Sequence, residues 1–175
     1  MPTQIGANRA ANYMRTPEAD TIYGTGGNDI LEEGGGNDIL TGGLGSDQFL
    51  FDTVLAAAGV DRITDFSISV NDKIVLDKKV FSALETLEDN PLTAADFSAI
   101  NVAAGLERFV AEMMQNEIVY NRLTGSLFYN PNNHGLGFGA GGGQFATIVG
   151  SPDSLSNTDF HVILDRWYIP RPDAS

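Results

Sequence analysis

The residues of this chain best placed to do chemistry are four aspartates, Asp20, Asp29, Asp38 and Asp47, which recur every nine residues. Two residues after each comes a large apolar side chain, Ile22, Leu31, Leu40 or Phe49, and two residues before the last three comes a glycine, Gly27, Gly36 or Gly45. A glycine-rich linker has no reason to hold an aspartate and an aliphatic residue in phase with its glycines, so the pattern marks a structural repeat. Carboxylates at fixed offsets among glycines suit a hard cation. Calcium takes about six to eight oxygen ligands, from carboxylates, backbone carbonyls and water, in a tolerant geometry. Glycines permit positive-φ turns that gather carbonyl oxygens on a small sphere, and the aspartate adds the anionic ligand.

The elements that must position these groups follow from the spacing. A turn plus a brief strand advances the chain through half a coil, so two nonapeptides complete one coil and alternate repeats stack on the same edge. Asp29 is expected to share an ion with Asp47 on one edge, and Asp20 with Asp38 on the other, while Leu31, Leu40 and Phe49 fill a thin interior. The first repeat is degenerate, with Arg15, Thr16, Pro17 and Glu18 where glycines belong, as suits a terminal, partly capping turn.

The segments GTGGNDILE (24–32), EGGGNDILT (33–41) and GGLGSDQFL (42–50) resemble the RTX, or haemolysin-type, nonapeptide GGxGxDxUx, where U is a large apolar residue. The resemblance implies a parallel β-roll whose calcium is held by Asp and by carbonyls of glycine-rich turns from repeats two apart. By it, Gly24, Gly26 and Asp29 would meet Gly43, Gly45 and Asp47, and Gly34, Gly36 and Asp38 would face the degenerate repeat of Asp20. The segment DRITDF (61–66), with Asp72-Lys73-Ile74 after it, is similar to the closing segment of the roll in serralysin-like proteins, which makes Asp61 and Asp65 further candidate ligands. Residues 118–129, 144–150 and 159–163 look like the C-terminal region of many RTX exoproteins. The run Asn130 to Gly135 departs from the Asp- and Gly-rich turn common there, and an EF-hand starting at Asn130 would need a bidentate Glu where Gly141 stands.

Composition agrees with a cation partner. The chain has 23 acidic and 10 basic residues among 175, a net charge of −13, which repels nucleic-acid phosphates and anionic lipid. Cysteine is absent, which excludes disulfides, thiolate catalysis and thiol-ligated metal. Residues 1–16 hold Arg9 and Arg15 but no apolar run, so they do not read as a signal peptide, and no stretch is long and apolar enough to span a membrane.

Past the repeats, 61–66 and 73–76 read as strands joined at Asn71-Asp72, and 118–120 with 127–129 as a hairpin turning at Thr124-Gly125. Strand character returns at 145–149 and 160–164. Thr93 is placed to cap a short helical turn over 91–97. Leu106, Phe109, Val110 and Met113 fall at helical spacing and predict a helix face on the core. The glycine run 135–143 reads as a loop, and the tail with Trp167 and Tyr168 as extended.

These features predict a mostly all-β chain: an N-terminal extension (1–14), a roll of repeats (15–52), a β-rich cap with one or two short helices (53–164) and a tail (165–175). His134 and His161 stand apart, without the spacing of a zinc protease, and neither a nucleophile elbow nor a phosphate loop occurs, so no catalytic residue is assigned. The expected function is a Ca²⁺-binding module that folds outside the cell, exported through a type I system by the family's route. The alternative is a stand-alone extracellular adhesion or surface-assembly protein docking another cell-surface protein; an enzyme ranks last.

Overall fold

The computed structural model describes residues 3–5, 12–13, 16–132 and 137–164. The expected repeat geometry governs the first half. Strands β1 (Thr3–Ile5), β2 (Asn12–Tyr13), β3 (Thr21–Gly26), β4 (Ile30–Glu32), β5 (Ile39–Leu44), β6 (Gln48–Phe51), β7 (Asp61–Ile63) and β8 (Lys73–Asp77) alternate between two sheets. Odd strands pair in parallel in one sheet and even strands in the other, with Ile22 beside Leu40 and Leu31 beside Phe49. Each strand is short because only its middle residue needs to point inward. Ile22, Leu31, Leu40, Phe49, Ile63 and Ile74 are all fully buried between the sheets. This is a parallel β-roll.

The coil begins before the first recognisable repeat. Thr3 lies beside Thr21 and Asn12 beside Ile30, so β1 and β2 extend both sheets at the spacing of the repeats. It also continues after them, through β7 and β8, despite longer turns.

The second half grows out of the same two sheets. Helix α1 (Leu55–Ala58) sits in the turn between β6 and β7, and a single 3-10 turn (Ile68–Val70) precedes β8. Strands β9 (Asn90–Pro91), β10 (Phe97–Ile100), β11 (Ile118–Asn121), β12 (Ser126–Tyr129), β13 (Gly143–Ile148) and β14 (Phe160–Ile163) complete the architecture with helix α2 (Glu107–Met113). The β11–β12 hairpin turns at Thr124-Gly125 as its sequence predicts, with Gly125 at φ 76°. β13 lies parallel to β7, and β14 parallel to β8, so the roll and cap share both sheets. One core runs through both, with Phe145 edge-on to Phe51 and Phe81, and Phe81 edge-on to Tyr129.

One expectation fails and a second holds in part. The apolar side of α2 does not face the core: Leu106, Phe109 and Met113 are each at least 60 % exposed, and Val110 is half-buried. The helix packs instead through its small residue Ala111 onto Val119, Phe128 and Phe138, because a methyl group lets the helix backbone approach the sheet closely. Asn130, fully buried, ties it down by donating to the carbonyl oxygens of Met114 (2.9 Å) and Ala111 (3.3 Å). Between β9 and β10 a single turn forms over 94–96 and no helix; Thr93 caps it as expected, its Oγ1 accepting from the Asp96 N–H at 3.3 Å. There the Asp96 carboxylate, buried, accepts from the hydroxyls of Thr86 and Thr93 and from the N–H groups of Glu85 and Thr86. These bonds hold the Asp96 carboxyl below the usual carboxylate range even against the cost of burial. His134, the tail from residue 165 and part of the 135–143 run lie outside the described residues.

Candidate metal centre

The turns between strands fall on two edges of the roll. One edge carries the turns β3–β4, β5–β6 and β7–β8, the other the turns β2–β3, β4–β5 and β6–β7. Gly24, Gly26, Asp29, Gly43, Gly45, Asp47 and Asp65 are brought together on the first edge. Asp20, Gly34, Gly36, Asp38 and Asp61 are brought together on the second.

Along each edge the aspartates form a ladder. Asp38 Oδ1 accepts from the Asp20 N–H at 2.6 Å, and Asp61 Oδ1 accepts from the Asp38 N–H at 2.8 Å. On the other edge Asp47 Oδ1 accepts from the Asp29 N–H and Asp72 Oδ1 from the Asp47 N–H, both at 2.9 Å. The carboxylates of Asp38, Asp47, Asp61 and Asp72 thus each reach back one coil. All six aspartates are 3 % exposed or less. Asp65 also reaches back, its two oxygens accepting from the Gly42 and Gly43 N–H groups at 2.9 and 2.8 Å.

Buried carboxylates stacked this way are out of electrostatic balance without a cation. Burial, the largest cause, pushes the Asp38 and Asp47 carboxyls up to about 6 and Asp61 up to about 8, and neighbouring aspartates on the same edge add to each rise. Asp72 is raised for the same reason. One oxygen each of Asp20, Asp38, Asp47 and Asp61 is buried without a hydrogen-bond partner. A buried acceptor left this way costs about 1–3 kcal/mol, more when charged.

The glycines shape the space beside these oxygens. A Cβ at Gly24 would strike the Gly42 carbonyl oxygen and crowd the Asp29 carboxylate, and a Cβ at Gly42 would strike the Asp47 carboxylate. The stacking register differs by a residue from that expected: Gly24 abuts Gly42, Gly43 abuts Thr25 and Gly45 abuts Gly27, while Gly36 abuts Ala19 of the degenerate repeat. Orphaned carboxylate oxygens beside closely packed backbone carbonyls fit a hard, oxygen-seeking cation. Among the described residues no three His, Cys, Asp or Glu side chains cluster in a way that could hold a metal by themselves, so backbone carbonyls must complete any coordination shell.

Sequence reasoning missed two residues of these edges. Asp72 repeats the local signature of Asp29 and Asp38, an Asn before it and an apolar Ile74 two residues after, but turns longer by five and then two residues hide its period. Glu33 occupies the first-glycine position of its repeat and is fully buried.

The fold and its acidic edges define a class, the calcium-binding parallel β-roll. Comparison with known families agrees: residues 16–49 match the RTX calcium-binding nonapeptide repeat in four copies. The chain therefore carries RTX repeats, and Ca²⁺ is the ligand expected of them. No curated protein matches. Among solved structures, the chain is similar to the AlgE6R3 subunit of the Azotobacter vinelandii mannuronan C5-epimerase, at 21% identity over 91% of this chain and 80% of that one, with a TM-score of 0.45.

Proposed function

We propose that this chain is a calcium-dependent folding module of an exported protein, in which ions lodged between successive coils bring the folded roll to full stability outside the cell. The observation that carries this reading is the aspartate ladder, continuous from Asp20 through Asp38 to Asp61 and from Asp29 through Asp47 to Asp72. Each step of a ladder offers one ion a carboxylate from each coil, with carbonyls of the Gly24–Gly26, Gly34–Gly36 and Gly43–Gly45 turns as further ligands and Asp65 closing the first edge. A calcium-free chain must bury these carboxylates protonated or stay loose; a calcium-loaded chain buries them ionised and paired. The fit with export is thermodynamic, since extracellular modules bind calcium at Kd of roughly 10⁻⁴ to 10⁻³ M, too weakly to load in a cytoplasm. In this reading the chain binds and folds rather than catalyses, the roll occupies 15–52 with its continuation to Asp77, and type I secretion delivers it.

The exposed Leu106, Phe109 and Met113 favour a second reading, a stand-alone extracellular protein stabilised by calcium that docks a surface partner through its cap. Titration of the EGTA-stripped chain with calcium, followed by circular dichroism and calorimetry with magnesium as control, tests the first reading. A gain of β structure and heat with calcium alone is expected; silence toward both ions would sink it. Asp29→Ala and Asp47→Ala should both remove the ion at the Asp29–Asp47 step, Asp47→Ala also weakening the Asp47–Asp72 step, while Asp153→Ala leaves binding unchanged.

A further inference from the structure

Glu33 stands where the repeat formula asks for glycine, and the structure shows why a side chain is tolerated there. At the equivalent points Gly24 and Gly42, the turn of the neighbouring coil or the repeat's own aspartate fills the space a Cβ would need. Beside Glu33 the next turn on its edge is opened: the step from Asp38 to Asp61 spans 23 residues where the step from Asp20 to Asp38 spans 18. The Glu33 side chain enters this opening. Its Oε1 accepts from the backbone N–H groups of Asp52 (3.1 Å) and Thr53 (2.8 Å), the first residues of the long turn, and its Oε2 accepts from the Gly34 N–H at 3.1 Å.

The far end of that turn is held by other groups. Gly36 N–H donates to the Ala57 carbonyl (3.1 Å), Val60 N–H to Asn37 Oδ1 (2.8 Å), and Gly59 takes φ 84° where a Cβ would strike the Gly36 carbonyl. The long turn is therefore pinned at both ends to the coil before it, and Asp61 emerges opposite Asp38. Without the Glu33 contacts the entry to the turn would have two N–H groups to satisfy elsewhere, and a loop five residues longer has many other paths.

We propose that Glu33 is a positioning residue for calcium on this edge: its carboxylate converts an insertion into a half-site by fixing the turn that delivers Asp61. The inference rests on the calcium reading above, at the Asp38–Asp61 step. It makes a counter-intuitive prediction, because Glu33→Gly restores the repeat formula and should nonetheless weaken the edge.

The test is calorimetric calcium titration of the full EGTA-stripped chain, comparing wild type with Glu33→Gly, Glu33→Gln, Asp61→Ala and the double variant Glu33→Gly/Asp61→Ala. Glu33→Gly should lose the same ion as Asp61→Ala, and the double variant should lose no more than either alone. Glu33→Gln keeps the oxygen that serves Asp52 and Thr53 and forfeits one acceptor, so it should retain that ion with affinity reduced about two- to tenfold. Combination with Asp47→Ala, on the other edge, should give additive losses. Unchanged stoichiometry and affinity in Glu33→Gly, or equal weakening of both edges, overturns the proposal; the second result would mark Glu33 as a general packing residue. Should Glu33→Gly fail to fold, Glu33→Gln decides by the same edge-selective criterion. A wild-type chain that takes up no calcium overturns the parent reading and this one with it, whereas a calcium-binding wild type beside an indifferent Glu33→Gly overturns this one alone.

Discussion

Gly24 and Gly42 occupy equivalent points on successive coils, and what they exclude is a methyl group beside a carboxylate. Gly24→Ala should destabilise the calcium-loaded fold by about 1–3 kcal/mol through overpacking against the Gly42 carbonyl and the Asp29 carboxylate, measured by chemical denaturation in saturating calcium. The carboxylates set the pH response. The folded-state pKa of Asp38 and Asp47 is raised to about 6 and that of Asp61 to about 8, all from 3.8, chiefly by burial. A carboxyl raised by folding contributes stability that is complete below its unfolded pKa and lost as pH rises through the folded one. The calcium-free chain should therefore melt at higher temperature at pH 5 than at pH 8, and calcium should reverse that order, because the ion needs the ionised form. Thermal scans at both pH values with and without EGTA read this directly; a calcium-free melting temperature that climbs with pH would contradict the buried, raised carboxyls. At this scale the sequence was informative wherever the period of nine held. Asp20, Asp29, Asp38 and Asp47 were legible from spacing, and Asp61 and Asp65 from resemblance alone. Asp72 and Glu33 were not, the first because insertions break the period and the second because its role depends on the opening of a turn that lies far along the chain.

Among the elements, β7 and β8 join what the repeats begin to what the cap completes. Each pairs on one side with a strand of the roll and on the other with a strand of the cap, β7 with β5 and β13, β8 with β6 and β14. Phe145 on β13 sits at this seam, edge-on to Phe51 of the roll and Phe81 beyond it. Phe145→Ala should cost about 3–5 kcal/mol and weaken apparent calcium affinity although it touches no ligand. Phe109→Ser, on a helix position 63 % exposed, should change stability by no more than about 0.5 kcal/mol. Equal effects from the two substitutions in denaturation experiments would argue against the packing of α2 through Ala111. The hairpin and the strand at 145–149 could be read from alternation and turn residues. Their pairing could not, since a short apolar run shows that a strand exists without showing which distant edge it joins. For α2 the helical spacing gave the element but the wrong face, because a single buried alanine outweighed four larger apolar residues.

The molecule as a whole has a main core and two sheets that both halves share, so calcium acting on its first half should be felt by the second. Calorimetry should show one cooperative transition rather than separate melting of roll and cap, and its midpoint should rise with calcium. At 10 mM calcium and the Kd range of extracellular modules, each ion should contribute roughly 1.4–2.7 kcal/mol. Two resolved transitions, only the first responding to calcium, would show that the shared sheets do not couple the halves. The alternation of strands between the sheets also restricts how such a chain can change in length. Successive aspartates of a ladder stand 18 residues apart where no insertion intervenes. A duplication of that size among the repeats would add a whole coil and leave every later strand on its own sheet. A duplication of one nonapeptide would send β7 and all that follows to the opposite side, parting β7 from β5 and β8 from β6. Growth of this protein by tandem duplication is thus quantised in pairs, and an odd number of inserted repeats is a frameshift in three dimensions.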